Sequence, residues 1–354
     1  MENEANYLKG RGAQFNPANP YLKNEYVTEH VEGLDEPLLQ NTPTEYFREN
    51  LKKIVNAVES PDLGLSYSMN PYQGCEHGCI YCYARNTHQY WGYGAGLDFE
   101  RKIIIKENAP EVLAQQFENP KWEVRPIMLA GNTDCYQPIE QKMQITRRML
   151  QVMLAYRHPV SIITKNALIL RDLDIIQELN KLDLVHVNIS ITTLNETLRQ
   201  KLEPRTATAL KRLEVIKQLA AASVPVNVML APIIPGLNDH EIPAIMKQAA
   251  QFGASSAAYT IVRLNGAIGN IFVDWIKKTF PERADKVLQQ IASCHGGNLN
   301  DSVFGRRMTG EGKFAEAIGN LFKMSRNKYL AGRSMKPYCY NLFCSRAGKQ
   351  LPLF

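Results

Sequence analysis

A chain of 354 residues with 45% hydrophobic content and a net charge of +6 is long enough for two domains or one α/β barrel, with a core to match. Its longest apolar run, residues 224–234, is interrupted by Pro225, Asn227 and Pro232 and is too short to cross a bilayer; the polar opening MENEANYLKGRGAQF has no apolar signal region. Seven cysteines without an export signal argue against a secreted disulfide framework. They favour a metal site in a reducing cytoplasm, with no membrane partner.

The leading segment, residues 1–60, is polar and contains GRGAQFNPANPY, which reads as irregular structure. Within it, residues 44–58 are expected to form a short helix. Residues 64–69 read as a first strand that runs straight into PYQGCEHGCIYCYAR, residues 71–85. A second strand at 126–130 ends in Gly131-Asn132-Thr133-Asp134-Cys135. Residues 141–156 follow as a helix, with apolar positions near helical spacing. A third strand (160–164) precedes a helix at 170–182. A fourth (184–191) alternates apolar and polar residues in the manner of a strand and precedes a helix at 206–222. A fifth (225–231) ends before Pro235-Gly236, and a helix at 238–252 has Asn238 or Asp239 as its N-cap. A sixth strand spans 256–262.

Six strands alternating with helices imply a parallel sheet, whose ligands sit at the carboxyl ends of the strands. The expected organisation is an N-terminal extension (1–60), an α/β core (61–266) and a basic, mainly helical C-terminal region (267–354). From residue 301 onward there are ten lysines and arginines against three acidic residues. The aromatics among them, Phe322, Tyr329, Tyr338, Tyr340 and Phe343, leave two readings open. One is a nucleic-acid surface; the other is a solvated helical face with its rings in the core.

The stretch 71–85 carries the chemistry. Cys75, Cys79 and Cys82 are spaced C-x3-C-x2-C, with Gly74 and Gly78 beside the first two. Three thiols are one short of a closed tetrahedral zinc site, and no second thiol pair follows at zinc-finger spacing. The bland alternative is a zinc knuckle completed by His77 or His88. A four-iron cubane usually takes four cysteines; given three, it keeps one iron open for a ligand that is not protein.

This motif resembles the signature of the radical S-adenosylmethionine (SAM) superfamily, and the tyrosines Tyr81 and Tyr83 around Cys82 resemble the spore photoproduct lyase branch. The resemblance implies a partial (β/α)6 barrel and a [4Fe-4S] cluster on Cys75, Cys79 and Cys82. SAM would be cleaved reductively at that cluster to a 5′-deoxyadenosyl radical. An electron donor such as flavodoxin or ferredoxin is implied as a partner, with DNA or RNA as the substrate in a lyase-like repair or modification. By position it implies that Thr133 and Asp134 hold the SAM amino group. It likewise assigns Lys165 to the carboxylate, Ser190 to the ribose or carboxylate, and the segment around Ile234 to the adenine pocket. Cys135 stands where the lyase keeps a hydrogen-donating cysteine, with Tyr81 and Tyr83 as the other hydrogen sources. The alternative function is a non-catalytic zinc- or cluster-bearing protein that binds nucleic acid or carries electrons.

Overall fold

The computed structural model describes residues 8–21 and 43–345. In chain order the strands are β1 (Glu45–Arg48), β2 (Asn56–Ala57), β3 (Tyr67–Met69), β4 (Tyr72–Gln73), β5 (Lys102–Ile105), β6 (Ile127–Leu129), β7 (Val160–Thr164), β8 (Val185–Ser190), β9 (Val226–Ile233) and β10 (Ser256–Ile261). The helices are α1 (Leu97–Arg101), α2 (Ala109–Phe117), α3 (Glu140–Met143), α4 (Ile145–Ala155), α5 (Leu173–Lys181), α6 (Glu196–Leu202), α7 (Ala209–Ala221), α8 (Ile242–Gln251), α9 (Ala267–Thr279), α10 (Pro281–Ser293) and α11 (Gly312–Tyr329).

The main sheet has the order β10-β9-β8-β7-β6-β3-β2. From β3 to β10 every neighbouring pair is parallel. These six strands are the six expected ones: β7 has the expected bounds, β9 runs two residues further, to Ile233, and the other four are trimmed at their ends. They read as apolar runs because helices cover the sheet; Val160, Ile162, Val187, Ile189, Val226 and Val228 are all essentially inaccessible to water. The expected parallel α/β sheet is therefore present, as a partial barrel whose edge strands β2 and β10 do not pair with each other.

Residues 44–58 are not a helix. Their ends form β1, parallel to β5 in the register Glu45↔Lys102, and β2, antiparallel to β3. Vacant ladders on two existing strands outcompete a helix held only by its own weak propensity. The expected helix 141–156 is likewise split into α3 and α4 at Gln144, whose φ is +52°. The helix expected at 170–182 begins as a 3-10 turn, Ala167–Asp172, before α5.

β1, β5 and β4 make a second, three-stranded sheet, and β4 feeds the cysteine loop directly. The two edges of the main sheet are bridged by side chains. The segment 299–308 runs along β10, where Ile261 N–H donates to Met308 O and Leu264 N–H to Leu299 O. From it, Gly305 N–H and Arg307 Nε donate to Asp62, and Arg307 Nη2 to Ser60, in the turn between β2 and β3.

The C-terminal stretch lies across the amino ends of the strands. Arg333 donates to Ala250 O and Ala254 O, His186 Nε2 meets Lys336 O, Cys339 N–H donates to Asp183 O, and Cys344 N–H to Tyr156 O. Its aromatics mostly face inward. Phe322 packs 4.5 Å from Tyr259, Tyr338 stacks 3.8 Å over His186, and Phe343 meets Phe117 and His158 edge-on. Tyr340 alone of the five stays largely exposed. The aromatic side of the nucleic-acid reading for this region is thus replaced by core packing, at the end of the sheet away from the cysteines. Arg346 and Lys349 lie outside the described residues. Among the described residues no helix is long and apolar enough to cross a membrane.

Candidate active site

The cysteine loop leaves β4 at Gly74 and can turn as it does only with glycine. Gly74 and Gly78 have φ of +78° and +68°, a region other residues enter at a cost. A Cβ on Gly74 would also stand 2.7 Å from Lys102 O. Cys75 and Cys79 are buried and Cys82 is partly so. Burial pushes each of their thiols up, and the Cys79 and Cys82 charges add to the rise at Cys75. Lys165 acts the other way on Cys79 and Cys82, favouring thiolate.

A buried clamp fixes this loop from behind. Arg85 donates to the Cys79 carbonyl, to Ala95 O and Gly96 O, and to Glu100 Oε1 at 2.6 Å. Both ionic groups are wholly inaccessible. Glu100 in turn accepts from Gly12 and Ala13 N–H. A Cβ on Gly12 would sit 1.8 Å from Gly78 O, so the leading segment packs backbone to backbone on the cysteine loop. Sequence reading treated GRGAQFNP as irregular and missed this; the Gly-Arg-Gly triplet was the available signal. On the other side, Gln137 accepts from Glu76 N–H and donates to Gly74 O. Glu76 accepts from Tyr46 and from Ile139 N–H.

The strand-end residues are distributed as follows. The Thr133 hydroxyl donates to Tyr72 O and is buried. Asp134 accepts from the Thr164 hydroxyl, Lys165 N–H and Tyr136 N–H and lies 3.4 Å from His77 Nδ1. Burial alone would raise its carboxyl; His77 and the backbone donors outweigh it and hold it at about 2. Asp134 thereby ties the cysteine loop to the end of β7. His77, one of the two histidines of the zinc alternative, has its ring between Asp134 and Asn166. The other, His88, is buried against Tyr93 and Phe99. No three His, Cys, Asp or Glu side chains among the described residues are drawn together as ligands of a single metal ion; thiolates on separate irons of a cubane do not need to be.

Lys165 Nζ stands 5.9 Å from the Tyr81 ring centre. Among the described residues it donates to no acceptor, which leaves an ammonium available beside Cys79 and Cys82. Ser190 ends β8, is buried, and gives its carbonyl to Arg212. Ile234 is buried in the apolar layer with Leu198, Leu202 and Ile268. Its N–H and C=O are both engaged in the turn with Asn238. Cys135 is fully enclosed. Burial pushes its thiol up, and the neighbouring Asp134, Glu140 and Asp172 charges push it further. Tyr81 is buried and donates to Glu203, whereas Tyr83 is 50% exposed, its hydroxyl on Gly131 O.

A second buried network was not visible in the sequence. Glu203 pairs with Arg212 at 2.5 Å and accepts from Thr192 and Tyr81. Burial favours its neutral form; Arg212, then Lys165 and the two hydroxyls, hold it ionised at about 2. Leu202 O accepts from Ile80 N–H and His77 O from Arg205 N–H, so the turn after α6 is stitched to the cysteine loop. The arrangement as a whole can hold an inorganic core on three thiolates beside one free ammonium, at the carboxyl end of a parallel sheet.

Comparison with known proteins agrees with this geometry. The family model described as Radical SAM superfamily matches residues 69–249. The uncharacterized protein Rv2578c of Mycobacterium tuberculosis is 32% identical over 234 residues, covering 66% of this chain and 68% of the relative. The uncharacterized protein MJ0683 of Methanocaldococcus jannaschii is 27% identical over 252 residues, covering 71% and 90%. Among solved structures, spore photoproduct lyase complexed with dinucleoside spore photoproduct superposes with a TM-score of 0.60 at 16% identity, covering 81% of this chain and 80% of that one. A mutant of that lyase with bound AdoMet and dinucleoside spore photoproduct gives 0.59, also at 16% identity, covering 81% and 79%.

Proposed function

This chain belongs to the radical SAM superfamily, and on that premise we propose that it is an enzyme acting on nucleic acid, abstracting hydrogen from a DNA or RNA substrate in the manner of spore photoproduct lyase. The superfamily uses a [4Fe-4S] cluster and SAM. When bound, they supply the electron and the 5′-deoxyadenosyl radical. The observation that carries the reading is the loop itself: Cys75, Cys79 and Cys82 spaced C-x3-C-x2-C, on a backbone clamped from behind by Arg85 and Glu100.

Cys75, Cys79 and Cys82 would hold the cluster through their thiolates. Lys165 orients the SAM carboxylate as a point charge. Asp134 and Glu203 brace the site, since their oxygens already accept internal hydrogen bonds. Thr133, Ser190 and Ile234 shape its wall. Of the three residues expected to return hydrogen, Cys135 and Tyr81 are enclosed and Tyr83 is open, which gives Tyr83 the donor's place in this reading. The electron comes from a small redox protein of the flavodoxin or ferredoxin kind in the cytoplasm.

The test is anaerobic reconstitution of wild type and of each Cys→Ala variant at positions 75, 79 and 82, with iron content and deoxyadenosine measured together. Each variant should lose most of its iron and all reductive SAM cleavage. A variant with a full cluster and normal cleavage would remove that cysteine from the ligand set. Deoxyadenosine formation that no DNA or RNA substrate stimulates, and that puts no substrate hydrogen into deoxyadenosine, would remove the nucleic-acid part of the reading.

A further inference from the structure

Arg263 is the second residue beyond β10, at the carboxyl end of the sheet. Its neighbours Val262 and Leu264 are buried in the apolar layer with Ile271, Phe272 and Trp275 of α9. Side chains alternate along an extended backbone, so Arg263 points to the side away from that layer. There it is half-buried, and its guanidinium is close enough to the Tyr83 hydroxyl to favour that group's ionised form against the burial that raises it. Among the described residues its guanidinium has no hydrogen-bond acceptor and no ion pair.

The arginines around it are satisfied. Arg307 pairs with Asp62, and Arg306 with Asp301 and Glu311. Partial burial and the charge of Arg307 disfavour this guanidinium, and the more distant charges of Asp62 and Asp301 only partly offset them. A planar fork of donors held in this way suits an oxyanion. Two exposed rings belong to residues linked with it, Tyr83 directly and Phe304 through Arg307. Tyr83 is half exposed, and Phe304 on the bridging segment is 54% exposed with Arg307 4.3 Å above its ring. Exposed rings beside an unpaired arginine are the elements with which proteins take single-stranded nucleic acid, bases on rings and phosphate on guanidinium.

We propose that Arg263 anchors a backbone phosphate of the nucleic-acid substrate where the edges of the sheet are bridged, next to Tyr83. This rests on the nucleic-acid reading above and assigns the contact that positions such a substrate. It is distinct from Lys165, whose ammonium lies beside Cys79 and Cys82.

The test uses the reconstituted holoenzyme and a fluorescent single-stranded oligothymidylate. Affinity is read by anisotropy across a salt series for wild type, Arg263→Gln and Arg263→Lys. Arg263→Gln should weaken binding about tenfold, and its log K against log salt slope should flatten by roughly 0.7, the value for one phosphate contact on a single strand. Arg263→Lys should keep the wild-type slope, and a methylphosphonate version of the oligonucleotide should lose affinity for wild type. Wild type that binds while Arg263→Gln binds with the same affinity and slope overturns the anchor and leaves the nucleic-acid reading standing. Wild type that binds no oligonucleotide overturns both. A fall in SAM affinity in Arg263→Gln, with oligonucleotide binding kept, makes Arg263 a cofactor contact and also overturns the proposal.

Discussion

The two ends of the parallel sheet are held by different physics. At the carboxyl end the fixing contacts are buried ions and directed hydrogen bonds: Arg85 on Glu100, Arg212 on Glu203, and Asp134 on Thr164 and Lys165 N–H. At the amino end, ring packing joins the hydrogen bonds of the C-terminal stretch, with Phe117 stacked on His158, Trp122 and Phe343 edge-on to Phe117, and Tyr338 on His186. Buried charges add little net stability, because desolvation offsets their attraction, but they fix direction. Rings contribute mainly buried area, with a weaker preference for stacked or edge-on pairing. The end that must aim three cysteines uses direction; the end that must only stay shut uses area.

That contrast can be broken most severely at Glu100. Glu100→Gln leaves Arg85 buried without its counter-charge, which should destabilise the fold by about 3–5 kcal/mol and reduce the iron the protein retains. Urea unfolding of wild type and variant measures it; a difference under about 1 kcal/mol would mean that the clamp does not act as a buried pair.

The ring end should reveal itself through pH. His158 is fully buried, its Nε2 accepting from Trp122 and its Nδ1 on Pro159 O. Burial is the main cause that holds its pKa down at about 4 against an ordinary 6.5. Between those values the unfolded chain binds the proton and the folded chain does not. Stability from this group is therefore full above pH 6.5 and declines as pH falls toward 4, by up to about 3 kcal/mol. In His158→Phe that portion of the acid sensitivity should vanish from the denaturation midpoint measured against pH.

Lys165→Ala probes the carboxyl end while leaving the hydrogen bonds of its clamps in place. Losing one charge-assisted hydrogen bond of about 1.5–3 kcal/mol should weaken SAM binding roughly ten- to a hundredfold with the cluster intact. Calorimetric titration showing unchanged affinity would take Lys165 out of the SAM site. The smallest effect is expected from Cys135→Ala, about 1 kcal/mol of lost packing in the range of single small core deletions, with the same products as wild type. Diverted products from Cys135→Ala and unaltered products from Tyr83→Phe would reverse the assignment of the hydrogen source.

The difference between the ends also explains what could be read from the residues alone. Cys75, Cys79 and Cys82 and the six strands were legible because local spacing and apolar runs specify them. The clamp was not, since what requires glycine at position 12 is the carbonyl of Gly78, far along the chain. Thr133 and Asp134 had the chemistry of ligand contacts. In the fold their polar atoms engage Tyr72 O, Thr164 and Lys165 N–H, partners that a linear reading cannot supply. Residues 44–58 were mistaken for a helix because an edge strand is defined by its neighbour's vacant ladder. The rings of the C-terminal stretch were ambiguous for a similar reason, as a sequence shows that a ring is present but not what it covers.

The bridge between β2 and β10 has a mechanical consequence. Everywhere else around the partial barrel, neighbouring strands share backbone ladders, which are stiff and cooperative. Across the gap the connection is Asp62 and Ser60 holding Gly305 and Arg307. The wall's compliance is concentrated along that line. Widening it there strains a few side-chain bonds and leaves every ladder of the main sheet whole, so the bore of the molecule is set by its weakest stave.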